Sequence, residues 1–216
     1  MKFGRFVLSL ASVVTLLFGS GSGFFVGGGV GSESAKVTRT QYYSLDFWGL
    51  RRAWDESGNI NSEQVGYVVG CRRFFTPRFA LRFYLANDFK YSADYVKLGA
   101  SLTNIKAIVS ANADALYKFV VIDEVSLGAF AGLSFGYVSA NLAESCSPSC
   151  SKSLFETAAN FGVFVADKSS TFELFSKVAL KDDSLQYGYS SSSFSPFEIS
   201  VKERFNLHFR YTYTFN

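Results

Sequence analysis

From Phe205 to the last residue the chain alternates without a break. Phe205, Leu207, Phe209, Tyr211, Tyr213 and Phe215 are apolar or aromatic, while Asn206, His208, Arg210, Thr212, Thr214 and Asn216 are polar. A period of two puts these sets on opposite faces of a β-strand. A soluble sandwich could use such a strand, with its aromatic face turned to a core. A strand that crosses a membrane needs roughly 9–11 tilted residues, apolar toward lipid, polar toward the lumen and aromatic at the interfaces, and this stretch meets those demands. In hydrocarbon an open sheet edge leaves backbone groups unpaired, so the rest of the chain must then supply a closed barrel.

The amino terminus predicts export. Lys2 and Arg5 precede an apolar run from Phe6 to Phe18, followed by Gly19-Ser20-Gly21-Ser22. That run is short for a transmembrane helix, and the small residues after it suit a signal peptidase, so residues 1–22 read as a cleaved signal peptide. An uncleaved anchor is the alternative, since no charge falls between Arg5 and Glu33. The glycines from Gly21 to Gly31 would make it a poor helix. Loss of Lys2 and Arg5 takes the formal charge from +3 to +1, and no basic surface points to a nucleic-acid partner.

Export brings oxidising chemistry within reach. Cys146 and Cys150 bracket Ser147-Pro148-Ser149 and read as a small loop disulfide; a metal site would need a second Cys pair or a nearby His. Cys71 falls on the apolar face of its strand and reads as a small hydrophobe rather than a nucleophile.

Seven further strands are predicted. The first runs from Phe24, with Phe24, Val26 and Val30 on one face and glycines that permit close packing on the other. The second sets Val65, Tyr67, Val69 and Cys71 against Gly66, Val68 and Gly70; the third sets Phe79, Leu81, Phe83 and Leu85 against Ala80, Arg82, Tyr84 and Ala86. The fourth, Ile105–Phe119, alternates small apolar residues with Lys106, Asn112 and Asp114, and its alanines make helix a rival. The fifth covers Val125–Val138, the sixth Leu154–Ala166 and the seventh Thr171–Leu180. Between them, connections at 38–62, 88–103, 141–152 and 181–197 are long, and those at 73–77, 120–123 and 167–170 are short. A short helix from about Leu45 to Asp55 is expected in the first long connection, where Phe47, Leu50 and Trp54 recur at helical spacing. Long external loops alternating with short periplasmic turns, on an even number of strands, are the layout of an outer-membrane barrel. The fold expected is therefore all-β, an eight-stranded antiparallel transmembrane outer-membrane β-barrel over residues 23–216 with an extracellular insertion at 38–62.

Gly70 to Phe75, followed by Phe79-Ala80-Leu81-Arg82-Phe83-Tyr84, resembles the Helicobacter-type outer-membrane protein family, as do Asn112-Ala113-Asp114-Ala115-Leu116 and Ser126-Leu127-Gly128-Ala129-Phe130-Ala131-Gly132. That family includes adhesins and some porins, and its large members carry an adhesive domain after the first strand. Here that slot is only 38–62, so the resemblance implies the barrel region without the large extracellular domain. The final strand, with Phe209, Tyr211, Tyr213 and Phe215, also resembles the assembly signal of bacterial outer-membrane barrels. This implies lipid and the barrel-assembly machinery as partners and the outer membrane of a Gram-negative bacterium as the location.

Eight strands enclose an interior that side chains can fill. Arg82, Lys106, Asp114, Glu156, Glu173, Lys177, His208 and Arg210 are the expected lumen charges. Their mixed signs predict mutual pairing in a plugged interior, because an unpaired ion there is costly. An enzyme would need a base, a nucleophile and a cleft, and His208, the sole histidine, has no Ser and acid placed beside it. The reading is a non-catalytic surface protein, without cofactor or metal, with a structural or adhesin-like binding role for its loops toward a host or surface ligand. A porin and a lipocalin-like soluble carrier are the alternatives. Trp48, Trp54, Tyr187, Tyr189 and Phe194 are the contact candidates in those loops, and interface-girdle or loop-packing roles would suit them equally.

Overall fold

The computed structural model describes residues 23–45, 50–96, 100–143, 151–180, 185–191 and 194–215. These form nine strands: β1 (Gly23–Leu45), β2 (Leu50–Phe74), β3 (Phe79–Val96), β4 (Ala100–Ile122), β5 (Val125–Ala143), β6 (Ser151–Ala166), β7 (Ser170–Ala179), β8 (Leu185–Ser191) and β9 (Phe194–Phe215). Each pairs antiparallel with its neighbour in the order β1-β2-β3-β4-β5-β6-β7-β9, and β9 returns to β1, so eight strands close the ring. No described helix is long and apolar enough to cross a membrane, and the crossing is made by strands.

The alternation read from sequence sets the two faces. Val30, Val65, Phe83, Val109, Leu133, Phe161 and Phe209 point outward and are exposed, whereas Arg82, Asn112, Asp114, Asn160, Glu173 and Arg210 are buried inside. This inversion of a soluble protein suits a wall bathed in lipid, where apolar surface costs nothing outside and polar groups can pair within. β4 is a strand despite its alanines. Its inward Ser110, Asn112 and Asp114 find polar partners in the lumen, and the ring leaves no room for a helix in the wall.

Inward glycines set how closely opposing side chains approach. A Cβ on Gly132 would lie 2.1 Å from Asp114 Oδ1 and 2.2 Å from the Ala113 carbonyl oxygen, so the bare backbone on β5 is what admits the Asp114 carboxylate beside it. The bulge in β9, where Arg204 is the extra residue between those opposite Ser34 and Ala35, rephases the strand, and the unbroken alternation begins directly after it at Phe205.

Three expectations need correction. The helix expected from Leu45 to Asp55 within 38–62 is strand in its described residues, with 46–49 outside them: β1 and β2 continue as a ladder through Val37↔Gly58, Thr40↔Asp55 and Leu45↔Leu50, and the Thr40 hydroxyl donates to Asp55 Oδ1 at 2.8 Å. The segment 88–103 is mostly strand, since β3 reaches Val96 and β4 starts at Ala100. Within 181–197 lies β8, paired with β9 from Leu185↔Val201 to Ser191↔Phe194. The cause is common to all three. Beyond the membrane both faces of a strand are wet, so the apolar half of the alternation disappears while the backbone ladder persists.

The wall is therefore uneven. β1, β2 and β4 run 23, 25 and 23 residues, about twice what a crossing needs, and β7 has only 10. β7 leaves β9 after Phe175↔His208, where the Asn206 side chain prolongs the junction by accepting from Ser176 Oγ at 3.2 Å and from the Lys177 backbone N–H at 2.6 Å. β8 then takes up the same edge of β9 farther along. One end of the barrel thus carries short turns, and the other carries prolonged hairpins.

Candidate functional site: the barrel interior

The interior is layered. At the turn end, Ala80, Leu116, Phe130, Phe164, Ala166 and Phe175 form an apolar floor with Phe74 against it. A second apolar cluster, Phe25, Val68, Tyr84 and Ala86, lies on the β1–β3 side.

A charged layer accompanies them. Arg82 on β3 and Asp114 on β4 are register neighbours, with Arg82 Nη2 2.6 Å from Asp114 Oδ2. Glu173 on β7 and Arg210 on β9 are likewise neighbours, with Arg210 donating to Glu173 Oε2 through Nε at 2.9 Å and Nη2 at 2.5 Å. Arg82 Nη1 also pairs with Glu173 Oε1, which joins the two ladder pairs across the lumen. Both guanidinium groups sit over aromatic faces. Arg82 lies 4.9 Å from the Phe130 ring centre and 5.1 Å from that of Tyr84; Arg210 lies 4.7 Å from Tyr84 and 4.6 Å from Phe175. Such stacking offsets part of the cost of burying the cations. Asn160 Nδ2 reaches Asn112 Oδ1 at 3.3 Å and Asp114 Oδ1 at 3.4 Å, extending the layer to β6.

Farther from the turns lie a pair between Lys177 and Asp88 at 3.7 Å and a buried pair between Lys90 and Glu33. His208 stacks on Phe175 with ring centres 4.8 Å apart. Lys106 is buried and Glu156 half-buried on the same inward faces. One cavity of about 30 Å³ is lined in part by Gln64, Tyr84, Asp88, Asn112, Lys177 and Arg210, and a more open one of about 700 Å³ is lined in part by Ser32, Gln64, Lys90 and Tyr91. The smaller of the two has room for about two waters.

All eight lumen charges expected from sequence face inward, and Arg82, Asp114, Glu173 and Arg210 converge in one network. Sequence reasoning missed Glu33, Arg72, Asp88 and Lys90. The parity of Arg82 and Tyr84, extended past Ala86, places Asp88 and Lys90 inside, a signal masked by the loop-like polarity of the run that follows. Phe209, Tyr211, Tyr213 and Phe215 face outward on β9, with Phe172 5.0 Å from Tyr211 between ring centres. Cys71 is half-buried on the outward face between Phe24 and Phe83. Trp54, Tyr187, Tyr189 and Phe194 take register positions opposite Gln41, Ile199, Phe197 and Ser191 on the prolonged hairpins. Trp48, Cys146 and Cys150 lie outside the described residues.

The family model described as Helicobacter outer membrane protein matches residues 66–215, well over half of the chain. A comparison with curated proteins finds no match. Among solved structures, the outer membrane protein OprG from Pseudomonas aeruginosa is similar with a TM-score of 0.53 at 12% identity, over 90% of this chain and 96% of that one. Ail, the attachment invasion locus protein of Yersinia pestis, is similar at a TM-score of 0.31 and 10% identity, over 88% of this chain and 98% of that one. At such identity the likeness to OprG concerns the fold alone.

Proposed function

Because this chain belongs to the Helicobacter outer membrane protein family, we propose that it is a plugged, non-catalytic outer-membrane barrel that presents its prolonged hairpins at the cell surface as a structural or adhesin-like contact. The observation that carries the closed state is the bridge from Arg82 to Glu173, which spans the lumen from β3 to β7 with both side chains buried. A permeating solute would have to part buried ions whose separation is costly. Planar-bilayer recording of the refolded chain tests this: a quiet membrane is expected, and stable unitary steps from the wild-type protein would reassign it as a channel.

The contact role is supported by the uneven wall, which lifts the β1–β2, β3–β4 and β8–β9 hairpins past the apolar band. The turn end then faces the periplasm, and residues 1–22 act as the cleaved leader. Trp48, Trp54, Tyr187, Tyr189 and Phe194 are the contact candidates, with Trp54, Tyr187, Tyr189 and Phe194 on those hairpins. Replacing all five with alanine should abolish adherence of expressing cells to host surfaces while leaving a folded barrel. Undiminished adherence would remove the loops from the function.

A further inference from the structure

The rim at the turn end is electrically lopsided. Arg72, Arg73, Arg78 and Lys118 all fall on the arc formed by the β2–β3 turn and the end of β4, where the Lys118 backbone N–H donates to the Arg78 carbonyl at 2.8 Å. None of the four makes a salt bridge among the described residues. The acids of this end, Asp123, Glu124 and Asp167, sit on the β4–β5 and β6–β7 connections instead, where Glu124 already pairs with Lys168.

The basic arc is also built against aromatic faces. Lys118 Nζ lies 4.6 Å from the Phe74 ring centre and Arg72 Cζ 5.1 Å from the same ring, while Arg73 Cζ lies 5.5 Å from that of Phe75. Arg72 is 8% exposed and directs Nη1 and Nη2 to the neutral hydroxyls of Thr171 and Thr214 at 3.4 and 3.1 Å, while its buried Nε has no partner among the described residues. No carboxylate stands within salt-bridge distance of this guanidinium among the described residues. Just outside, Phe75, Phe79, Tyr117 and Phe119 are exposed at the edge of the apolar band, where aromatic girdles mark the headgroup level.

We propose that Arg73 and Arg78, backed by the charges of Arg72 and Lys118 at the lumen mouth, form a docking site for the phosphate of an anionic phospholipid headgroup in the leaflet at the turn end. Unpaired cations at headgroup depth meet phosphate, and planar guanidinium groups bind its oxygens in pairs. The neighbouring arc, with its acids, repels the same group, so the bound lipid occupies one side of the barrel. That this leaflet is periplasmic rests on the orientation given above.

The test uses the refolded full chain in phosphatidylcholine bilayers with spin-labelled phosphatidylglycerol or phosphatidylcholine. Wild-type protein should select phosphatidylglycerol at its boundary, and Arg73→Gln with Arg78→Gln, both exposed and outside the interior network, should lower that selectivity about fivefold for each charge removed. Lys168→Gln, which removes a cation already paired with Glu124, should leave it unchanged. An equal loss from Lys168→Gln would overturn the site in favour of general charge attraction. Displacement of the lipid by inorganic phosphate at matched ionic strength would overturn the lipid as ligand, and loss of a dimer in the Arg73/Arg78 variant would assign the arc to a second copy. A heat-shifted gel band checks that each variant is folded. Impermeant labelling of a cysteine at Ser169 reports orientation separately, so failure of the orientation is distinguishable from failure of the site.

Discussion

Arg82 and Glu173 belong to strands on different sides of the ring, yet they meet in a buried salt bridge across the lumen. Glu173 also accepts from Arg210, so one carboxylate serves two cations. The proposed closed interior rests on that sharing.

Glu173→Gln removes the shared charge while keeping the volume. Arg82 retains Asp114, but Arg210 loses its carboxylate in a buried site. The expected cost is about 3–5 kcal/mol, read as a lower urea midpoint for the lipid-refolded barrel. A midpoint equal to wild type would mean that the pairing adds nothing to stability.

Neighbours on β9 should answer oppositely to charge. Phe209 faces lipid and Arg210 the lumen. Phe209→Arg should cost roughly 2–4 kcal/mol near the midplane and impair assembly, whereas Arg210→Leu leaves Glu173 its pair with Arg82 and should be milder than Glu173→Gln. Heat-modifiable gel mobility with membrane fractionation reads both; wild-type protein found soluble and without a mobility shift would refute the membrane barrel itself.

Gly132→Ala places a methyl where Asp114 Oδ1 and a backbone oxygen stand within 2.2 Å, and overpacking of that kind costs about 1–3 kcal/mol. Gly28→Ala is the control, since its nearest contact is an ordinary 3.6 Å. Thermal unfolding should separate the two variants, and equal melting would show that β5 shifts freely away from Asp114.

Cysteines placed at Ser57, Ser147 and Ser191 should react with an impermeant reagent on intact cells, and one at Ser169 only after the outer membrane is opened. Cys146 and Cys150 should resist alkylation until reductant is added. Four equal labels on intact cells would overturn the orientation, and free thiols at both native cysteines would remove the bridge.

Alternation alone assigns each residue of the crossing segments to the lipid face or the lumen face. Period two is a local property of an extended chain, so Phe209 and Arg210, or Ala113 and Asp114, could be assigned to opposite faces without knowledge of any partner. The family resemblance was legible in the same segments, where one face is committed to lipid. Which inward side chains meet is set by closure of the ring. Arg82 and Glu173 are 91 residues apart, and whether they touch depends on ring closure, strand stagger and the glycine gap beside Asp114. Ring geometry also makes 38–45 with 50–62, and 88–96 with 100–103, ladder rather than loop, because outside the membrane water accepts both faces and the pattern that betrays a strand is lost. The inward place of Asp88, Lys90 and Arg72 was hidden for the same reason: a charged residue looks alike in sequence whether water or a buried counter-ion receives it.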